Sequence, residues 1–316
     1  DSAWAALLAL TPLSWAVQNF SRFAADGKRL YLVLALLSGA AAMALAGGYL
    51  IQGQEDGLFS IGRLIGFAVL SCLLVSLAGL VFLATVPEAM QLALTRTPEC
   101  CVLPCRADEQ GWLRPDDVST AAARFAPGKA VLLAGPGLGD GAGRILSLLL
   151  GGDFVWKGCL LDADALNALA SGSAGDVTLP ENTVLTPHPG EMARLTGLTV
   201  SQVQADRPGV ALDYAARHHC IVVLKGSGTL VAAPDGTLMQ NTTGNPGLSR
   251  GGSGDILAGM IAALLAQGLS PLDAAACGVW LHGAAADRCA ARRSRQAMLP
   301  HDILEDLGAL LAEAGL

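Results

Sequence analysis

Asn241–Gln267 reads NTTGNPGLSRGGSGDILAGMIAALLAQ, a polar, glycine-rich run that turns abruptly into an apolar one. Ile256, Leu257, Met260, Ile261, Leu264 and Leu265 recur at three- and four-residue steps, the spacing of a buried helix face. Ser253 and Asp255 stand where an N-cap and a first-turn acid belong. Gly251, Gly252 and Gly254 carry no Cβ, so a ligand can approach the backbone closely there. The first turn of a helix holds unpaired N–H groups at the positive end of its dipole, and phosphate is the usual anion to occupy it. Asp255 is out of place beside such an anion unless a metal or a proton transfer gives it a task. The plain alternative is a helix cap after a flexible loop. No Gly-Lys-Ser/Thr follows the glycines, so the stretch is not a Walker A loop.

Outward from this stretch, short apolar runs alternate with helical patterns. Leu80–Thr85, Cys101–Leu103, Ala130–Ala134, Cys159–Asp162, Thr183–Leu185 and Ile221–Leu224 read as strands. Pro87–Leu94, Pro115–Phe125, Arg144–Leu150, Ala163–Ala170, part of Ser201–His218, Pro271–Ala290 and His301–Ala314 read as helices. The alternation predicts an α/β fold: a doubly wound, mostly parallel sheet with helices on both faces.

In such a sheet ligands bind at the carboxyl ends of the strands. Gly135-Pro136-Gly137-Leu138-Gly139 follows one strand. Asp162 and Asp164 follow the next, as ligands for a metal or a ribose hydroxyl, or as caps of the coming helix. In Thr186–Glu191 two prolines hold His188 at fixed geometry, a candidate ligand contact or a structural histidine. Lys225-Gly226-Ser227-Gly228-Thr229 joins a lysine and small hydroxyls to accessible amides, which suits phosphate or nucleotide. The same run can open a hairpin, Leu230–Ala233 and Thr237–Gln240 around Pro234-Asp235-Gly236. His282, in an Ala/Gly-rich helix, reads as packing or solvated.

NTTGNPGLSRGGSGDILAG closely resembles one signature of the ADP/ATP-dependent NAD(P)H-hydrate dehydratases, a branch of the ribokinase-like superfamily. LTPHPGEMARLTG, Leu185–Gly197, resembles the second, and AGPGLG at Ala134–Gly139 and LDADALNAL at Leu161–Leu169 fit in the family's order. The resemblance runs from Ala78 to the C-terminus. It implies a ribokinase-like fold and a lyase that repairs hydrated nicotinamide cofactor. ADP or ATP phosphorylates the ring hydroxyl of the S-epimer of NADHX or NADPHX, phosphate leaves, and NADH or NADPH returns. It implies that Gly137 or Gly139, with His188 and Asp255, contacts the hydrate. It also implies that Lys225, Gly226, Ser227, Gly228, Thr229 and Gly254 contact the nucleotide. On chemical grounds Asp255 is the catalytic residue, accepting the hydroxyl proton or positioning that hydroxyl. The amides of Gly252, Ser253 and Gly254 then form an anion hole for the migrating phosphoryl group. Mg²⁺ is expected with the nucleotide, with no protein ligand identifiable from sequence. By analogy with the family a homo-oligomer is expected, and the Ala/Gly-rich composition leans towards ADP.

The 316 residues carry a formal charge of −7 and no Lys/Arg cluster, which argues against a nucleic-acid partner and for small-molecule substrates. Eight cysteines are scattered apart from Cys100, Cys101 and Cys105, a group with no matching His/Cys pair downstream, so reduced cytoplasmic thiols are the reading. Two uncharged runs, Leu30–Ile51 and Leu64–Val86, are each long enough to cross about 30 Å of hydrocarbon. Parallel strands covered on both faces read the same way, and the second run passes straight into the family match, so burial is favoured over a membrane. The division is an N-terminal apolar segment, 1–58, and a catalytic domain, 59–316. Gly62-Arg63-Leu64-Ile65 looks like the family's first strand, but the usual glycine-rich turn and helix do not fit before Ala78. The family's substrate contact in that helix is therefore not placed on this sequence, and Leu30–Ile51 is the other stretch that could build the element. The rival readings are a ribokinase-like kinase of a vitamin precursor or sugar, and an inactive or membrane-anchored nucleotide-binding protein. The Thr-Pro-His-Pro-Gly-Glu loop favours the dehydratase.

Overall fold

The computed structural model describes residues 80–314. The segment 1–58, its boundary, Leu30–Ile51, most of Leu64–Val86 and the Gly62–Ile65 strand lie outside the described residues. Strands β1 (Phe82–Thr85) and β2 (Cys101–Pro104) pair in parallel, joined by α1 (Pro87–Arg96), which carries proline in its first turn. Helix α2 (Pro115–Ala122) leads to the main sheet. There β3 (Val131–Ala134), β4 (Gly158–Leu161), β5 (Thr183–Leu185) and β6 (Ile221–Leu224) lie side by side in chain order, all parallel. The hairpin β7 (Leu230–Ala232) and β8 (Leu238–Gln240) extends the sheet antiparallel.

Between these strands run α3 (Ala142–Gly151), α4 (Asp164–Ser171), α5 (Pro189–Thr196), α6 (Val200–Ala205) and α7 (Arg207–His218). The chain continues through α8 (Ser253–Gln267), α9 (Pro271–Arg293) and α10 (Ile303–Glu313).

The pleat divides each strand between two cores. Cys159, Leu161, Leu185, Val222, Leu224, Leu230 and Ala232 enter a core with α3 to α7. Leu160, Val184, Ile221, Val223 and Val231 enter another with α8 and α9. Strands β4 to β7 are therefore buried on both faces, which is why they read as unbroken apolar runs. Only the edge strand β8 is exposed along its length among the strands of this sheet. Because β3 to β6 are parallel, their carboxyl ends all open on one edge. No helix among the described residues is long and apolar enough to cross a membrane.

Several boundaries differ from the sequence reading for local reasons. Helix α2 stops at Ala122 rather than Phe125. Ser201–His218 holds two helices, because the Asp206 carboxylate accepts the Gly209 N–H and starts α7 afresh. Strand β4 ends at Leu161, one residue early, which releases Asp162 from the ladder. Ser253 is the first helical residue of α8 and not its N-cap. The cap is Gly252 at φ +91°, a left-handed conformation that disfavours a side chain.

Candidate active site

Four loops meet at the carboxyl edge of the parallel strands, where the first turn of α8 joins them. After β3, Gly135 lies so close to the next loop that a Cβ would stand 1.7 Å from the Asp162 carbonyl oxygen. Gly139 donates its N–H to Asp164 Oδ2 at 2.9 Å and backs onto the Trp112 ring, where a Cβ would lie 2.0 Å from ring carbon. Gly137, at φ +75°, has nothing within 4 Å of an added Cβ. Of the two candidate glycines, Gly137 is the open one and Gly139 is engaged.

After β4, Ala163 takes φ 49° and ψ −117°, a sparsely populated conformation for a residue with a side chain. It separates two carboxylates. Asp162, buried, accepts from Lys225 Nζ at 2.7 Å, and Asp164 takes the Gly139 amide. No side chain caps α4, so the capping alternative for these acids is not what forms.

After β5, His188 caps α5. Its Nδ1 accepts from the N–H groups of Gly190 at 2.9 Å and Glu191 at 3.2 Å, while Glu191 Oε2 accepts the His188 N–H at 2.7 Å. With Nδ1 used as an acceptor, the neutral ring carries its proton on Nε2. That nitrogen lies 3.4 Å from Glu191 Oε1 on a half-exposed side chain. Burial, then the positive charges of Lys225 and Arg194, lower the His188 pKa and keep the ring neutral. His188 is thus a fixed hydrogen-bond donor. Burial holds Glu191 above the usual carboxylate range, against the pull of Lys225.

After β6, Lys225 donates its N–H to the Pro187 carbonyl at 2.9 Å and sets its Nζ 3.8 Å from Glu191 Oε2. Gly254 brings α8 onto this cluster: a Cβ there would lie 3.3 Å from Lys225 Nζ and 3.7 Å from Asp162 Oδ2. Ser253 donates its N–H to the Arg250 carbonyl at 3.2 Å, which leaves the amides of Gly252 and Gly254 as the better anion donors of this turn. The buried His282, with its pKa lowered to about 4 chiefly by desolvation, is neutral, and its Nε2 lies 3.4 Å from Ser253 Oγ. His282 therefore braces the head of α8. Asp255 has its pKa raised to about 6, first by burial, then by the charge of Asp162, with Lys225 opposing and Asp164 adding.

The polar half of the opening stretch is tied to α9. Asp287 accepts the Gly244 N–H at 2.7 Å and the Asn245 side-chain amide at 2.9 Å, and Thr243 Oγ1 donates to the Trp280 carbonyl at 3.0 Å. A cavity of about 510 Å³ opens beside it, lined by Pro246, Gly247, Ser249, Arg250, Arg295 and Gln296. Among the described residues no group of three or more His, Cys, Asp or Glu side chains closes round a metal ion. Asp162, Glu191 and Asp255 are hard oxygen donors. That fits Mg²⁺ in its usual mode, with one or two carboxylates and the remaining positions taken by substrate phosphate and water.

The sequence reading brought Gly137, His188, Lys225, Gly254 and Asp255 to this edge. It did not find the Asp162–Lys225 pair, the Trp112 ring behind Gly139, or the His282–Ser253 contact. The one available signal was that Asp162 and Lys225 each follow a strand.

The NAD(P)H-hydrate dehydratase family model matches residues 64–308. The chain is 40% identical over 266 residues to a bifunctional NAD(P)H-hydrate repair enzyme of Moorella thermoacetica, covering 83% of this chain and 49% of that protein. It is 48% identical over 156 residues to the ADP-dependent (S)-NAD(P)H-hydrate dehydratase of Neisseria meningitidis, covering 48% of this chain and 53% of that one. The chain thus spans about half the length of the curated relatives it matches. Among solved structures it is similar to the ADP/ATP-dependent NAD(P)H-hydrate dehydratase of Bacillus subtilis, co-crystallized with ATP/Mg²⁺ and soaked with CoA. The TM-score is 0.64 at 29% identity, over 79% of this chain and 87% of that one.

Proposed function

The chain belongs to the NAD(P)H-hydrate dehydratase family, and from that premise we propose that it restores NADH and NADPH from their 6-hydroxy hydrates at the expense of ADP or ATP. The observation that carries this reading is the head of α8. There a carboxylate with a pKa near 6 stands in the same turn as bare amides, against the Lys225 ammonium.

The residue roles follow from that arrangement. Asp255 accepts the proton of the ring hydroxyl as its oxygen attacks the terminal phosphorus of the nucleotide, and the bond to the bridging oxygen breaks. The amides of Gly252 and Gly254 face the charge that develops on the transferring group. Lys225 and the 226–229 backbone hold the remaining phosphates. His188, with its proton on Nε2, donates to an oxygen of the hydrate, and Gly137 leaves backbone open against the ring. Phosphate then departs with the C–O bonding pair, a proton is lost from the adjacent ring carbon, and the dihydronicotinamide is restored. Hydroxide is a poor leaving group and phosphate a good one, which is what the nucleotide is for. Mg²⁺, when bound with the nucleotide, supplies charge neutralisation on its phosphates. The 510 Å³ cavity next in chain to the anion turn is large enough for a nucleoside. The described cysteines are free, which suits a reducing cytoplasm. The exposed edge strand β8 and the half-exposed Trp280 offer apolar surface to a second copy in a homo-oligomer.

The test is direct. The chain is incubated with NADHX, Mg²⁺ and either ADP or ATP, and the dihydronicotinamide absorbance is followed. The expected result is a nucleotide-dependent return of that absorbance, with one AMP or ADP formed per NADH. No return with either nucleotide overturns the reading.

The pH dependence is a second check. A base must be ionised, so kcat/KM is expected to fall about tenfold per unit as pH drops below about 6. Asp162→Asn removes a like charge and frees Lys225, and both effects lower the Asp255 pKa. Its acid limb should therefore move to lower pH than the parent's. An unmoved limb would disconnect Asp162 from the base.

A further inference from the structure

Arg207 opens α7 outside every motif, yet its guanidinium reaches under the Lys225–Thr229 loop. Nη1 donates to the Ser227 carbonyl at 2.7 Å, and Nη2 donates to the carbonyls of Leu224 at 3.0 Å and Lys225 at 3.4 Å. No carboxylate among the described residues pairs with it, burial lowers its pKa, and its buried Nε–H has no partner among them. A half-buried cation with an orphan donor is a poor stabiliser of a fold, so its placement needs another reason.

Peptide geometry supplies one. All the described peptide bonds are trans, and across a trans peptide the C=O and the following N–H point in opposite directions. The Leu224 carbonyl faces Arg207, and the Lys225 N–H accordingly faces away, to the Pro187 carbonyl. By the same rule the Lys225 and Ser227 carbonyls, held towards Arg207, turn the Gly226 and Gly228 N–H groups outward. Neither of those amides donates to another described residue. Gly226 sits at φ +147°, where a Cβ would come within 3.0 Å of the guanidinium, and Gly228 sits at φ +62°. Both glycines are fitted to this arrangement.

We propose that Arg207 is a positioning residue for the nucleotide: it holds two carbonyls inward and so aims the Gly226 and Gly228 amides at the polyphosphate. The inference rests on the reading of Lys225–Thr229 as the nucleotide loop. Lysine in place of arginine keeps the charge but offers one nitrogen where the planar guanidinium uses two, Nη1 on Ser227 and Nη2 on Leu224 and Lys225.

Calorimetric titration of the full chain with MgADP and with MgATP, in the absence of hydrate, tests it. Arg207→Ala and Arg207→Lys are each expected to bind the parent's preferred nucleotide about 30-fold more weakly. The KM for NADHX, and kcat at saturating nucleotide, should stay within about threefold. Ethylguanidinium should restore nucleotide affinity to Arg207→Ala, a rescue that general loosening of the fold would not show. If Arg207→Ala fails to fold, Arg207→Lys carries the test alone. Parent-like affinity in Arg207→Lys overturns the positioning role, as does parent-like affinity in Arg207→Ala. A parent that binds neither nucleotide overturns the nucleotide loop itself and this role with it. A parent that binds nucleotide but leaves NADHX unchanged overturns the proposed reaction while leaving the Arg207 comparison intact.

Discussion

Asp255→Asn is expected to lose about a thousandfold in kcat and, at the same time, to become more stable than the parent. Asparagine matches aspartate in size but cannot accept the hydroxyl proton, so transfer to the ring oxygen loses its base. The gain in stability follows from the pKa. The Asp255 carboxyl is raised from its ordinary value of 3.8 to about 6, by burial first and then by Asp162. A carboxyl whose folded pKa lies above its unfolded one favours the folded state most when protonated, and that advantage is lost as pH rises through the folded pKa. At pH 7 the ionised group therefore destabilises the fold by about 3 kcal/mol, taking about 1.4 kcal/mol per unit. Neutral asparagine removes that penalty, a rise in Tm on the order of 5 °C. Thermal melts of both proteins across the acid range check the sign, because the gap should shrink as pH falls from about 6 towards 4. Nucleotide affinity, measured by titration, should change little. Parent-like kcat in this variant would remove the base. A lower Tm throughout the range would mean that the carboxylate makes a contact worth more than its burial costs.

This trade of stability for chemistry shows what a sequence can disclose and what it cannot. The head of α8 was legible because both of its signals are local: three glycines in four residues, and an apolar period of 3.6 starting at Ile256. The edge loops were legible because each apolar run passes within two residues into glycine, proline or an acid. Ser253 was misjudged as the N-cap because a serine there is good capping chemistry, yet Gly252 at φ +91° performs the turn and Ser253 faces His282 instead. Distant partners left no trace. Asp162 and Lys225 are 63 residues apart and meet only because β4, β5 and β6 lie side by side. Nor could the sequence choose between Gly137 and Gly139, since that choice depends on where Trp112 packs.

The Asp162–Lys225 pair is also where the second large effect is expected. The Lys225 side chain is 19% exposed and that of Asp162 only 2%, with 2.7 Å between Nζ and Oδ1. Lys225→Met keeps an unbranched side chain one atom shorter and removes the charge, which leaves the Asp162 carboxylate buried without its cation. Breaking such a pair from one side is expected to destabilise the fold by about 3 kcal/mol. Nucleotide affinity should fall as well, because the ammonium that faces the head of α8 is gone. With Lys225 absent and Asp162 still charged, the acid limb set by Asp255 should also move to higher pH.

The double variant, Lys225→Met with Asp162→Asn, separates these effects. Its buried pair is neutral, so most of the lost stability should return and the acid limb should move back down. Nucleotide affinity should remain low, since nothing replaces the ammonium. Denaturant unfolding and nucleotide titration on the three variants read the two quantities independently. A Lys225→Met protein as stable as the parent would show that solvent reaches Asp162 and that the pair does not hold the two loops together. Recovery of nucleotide affinity in the double variant would show that Lys225 acts on the nucleotide only by restraining Asp162, and the phosphates would then depend on backbone amides alone.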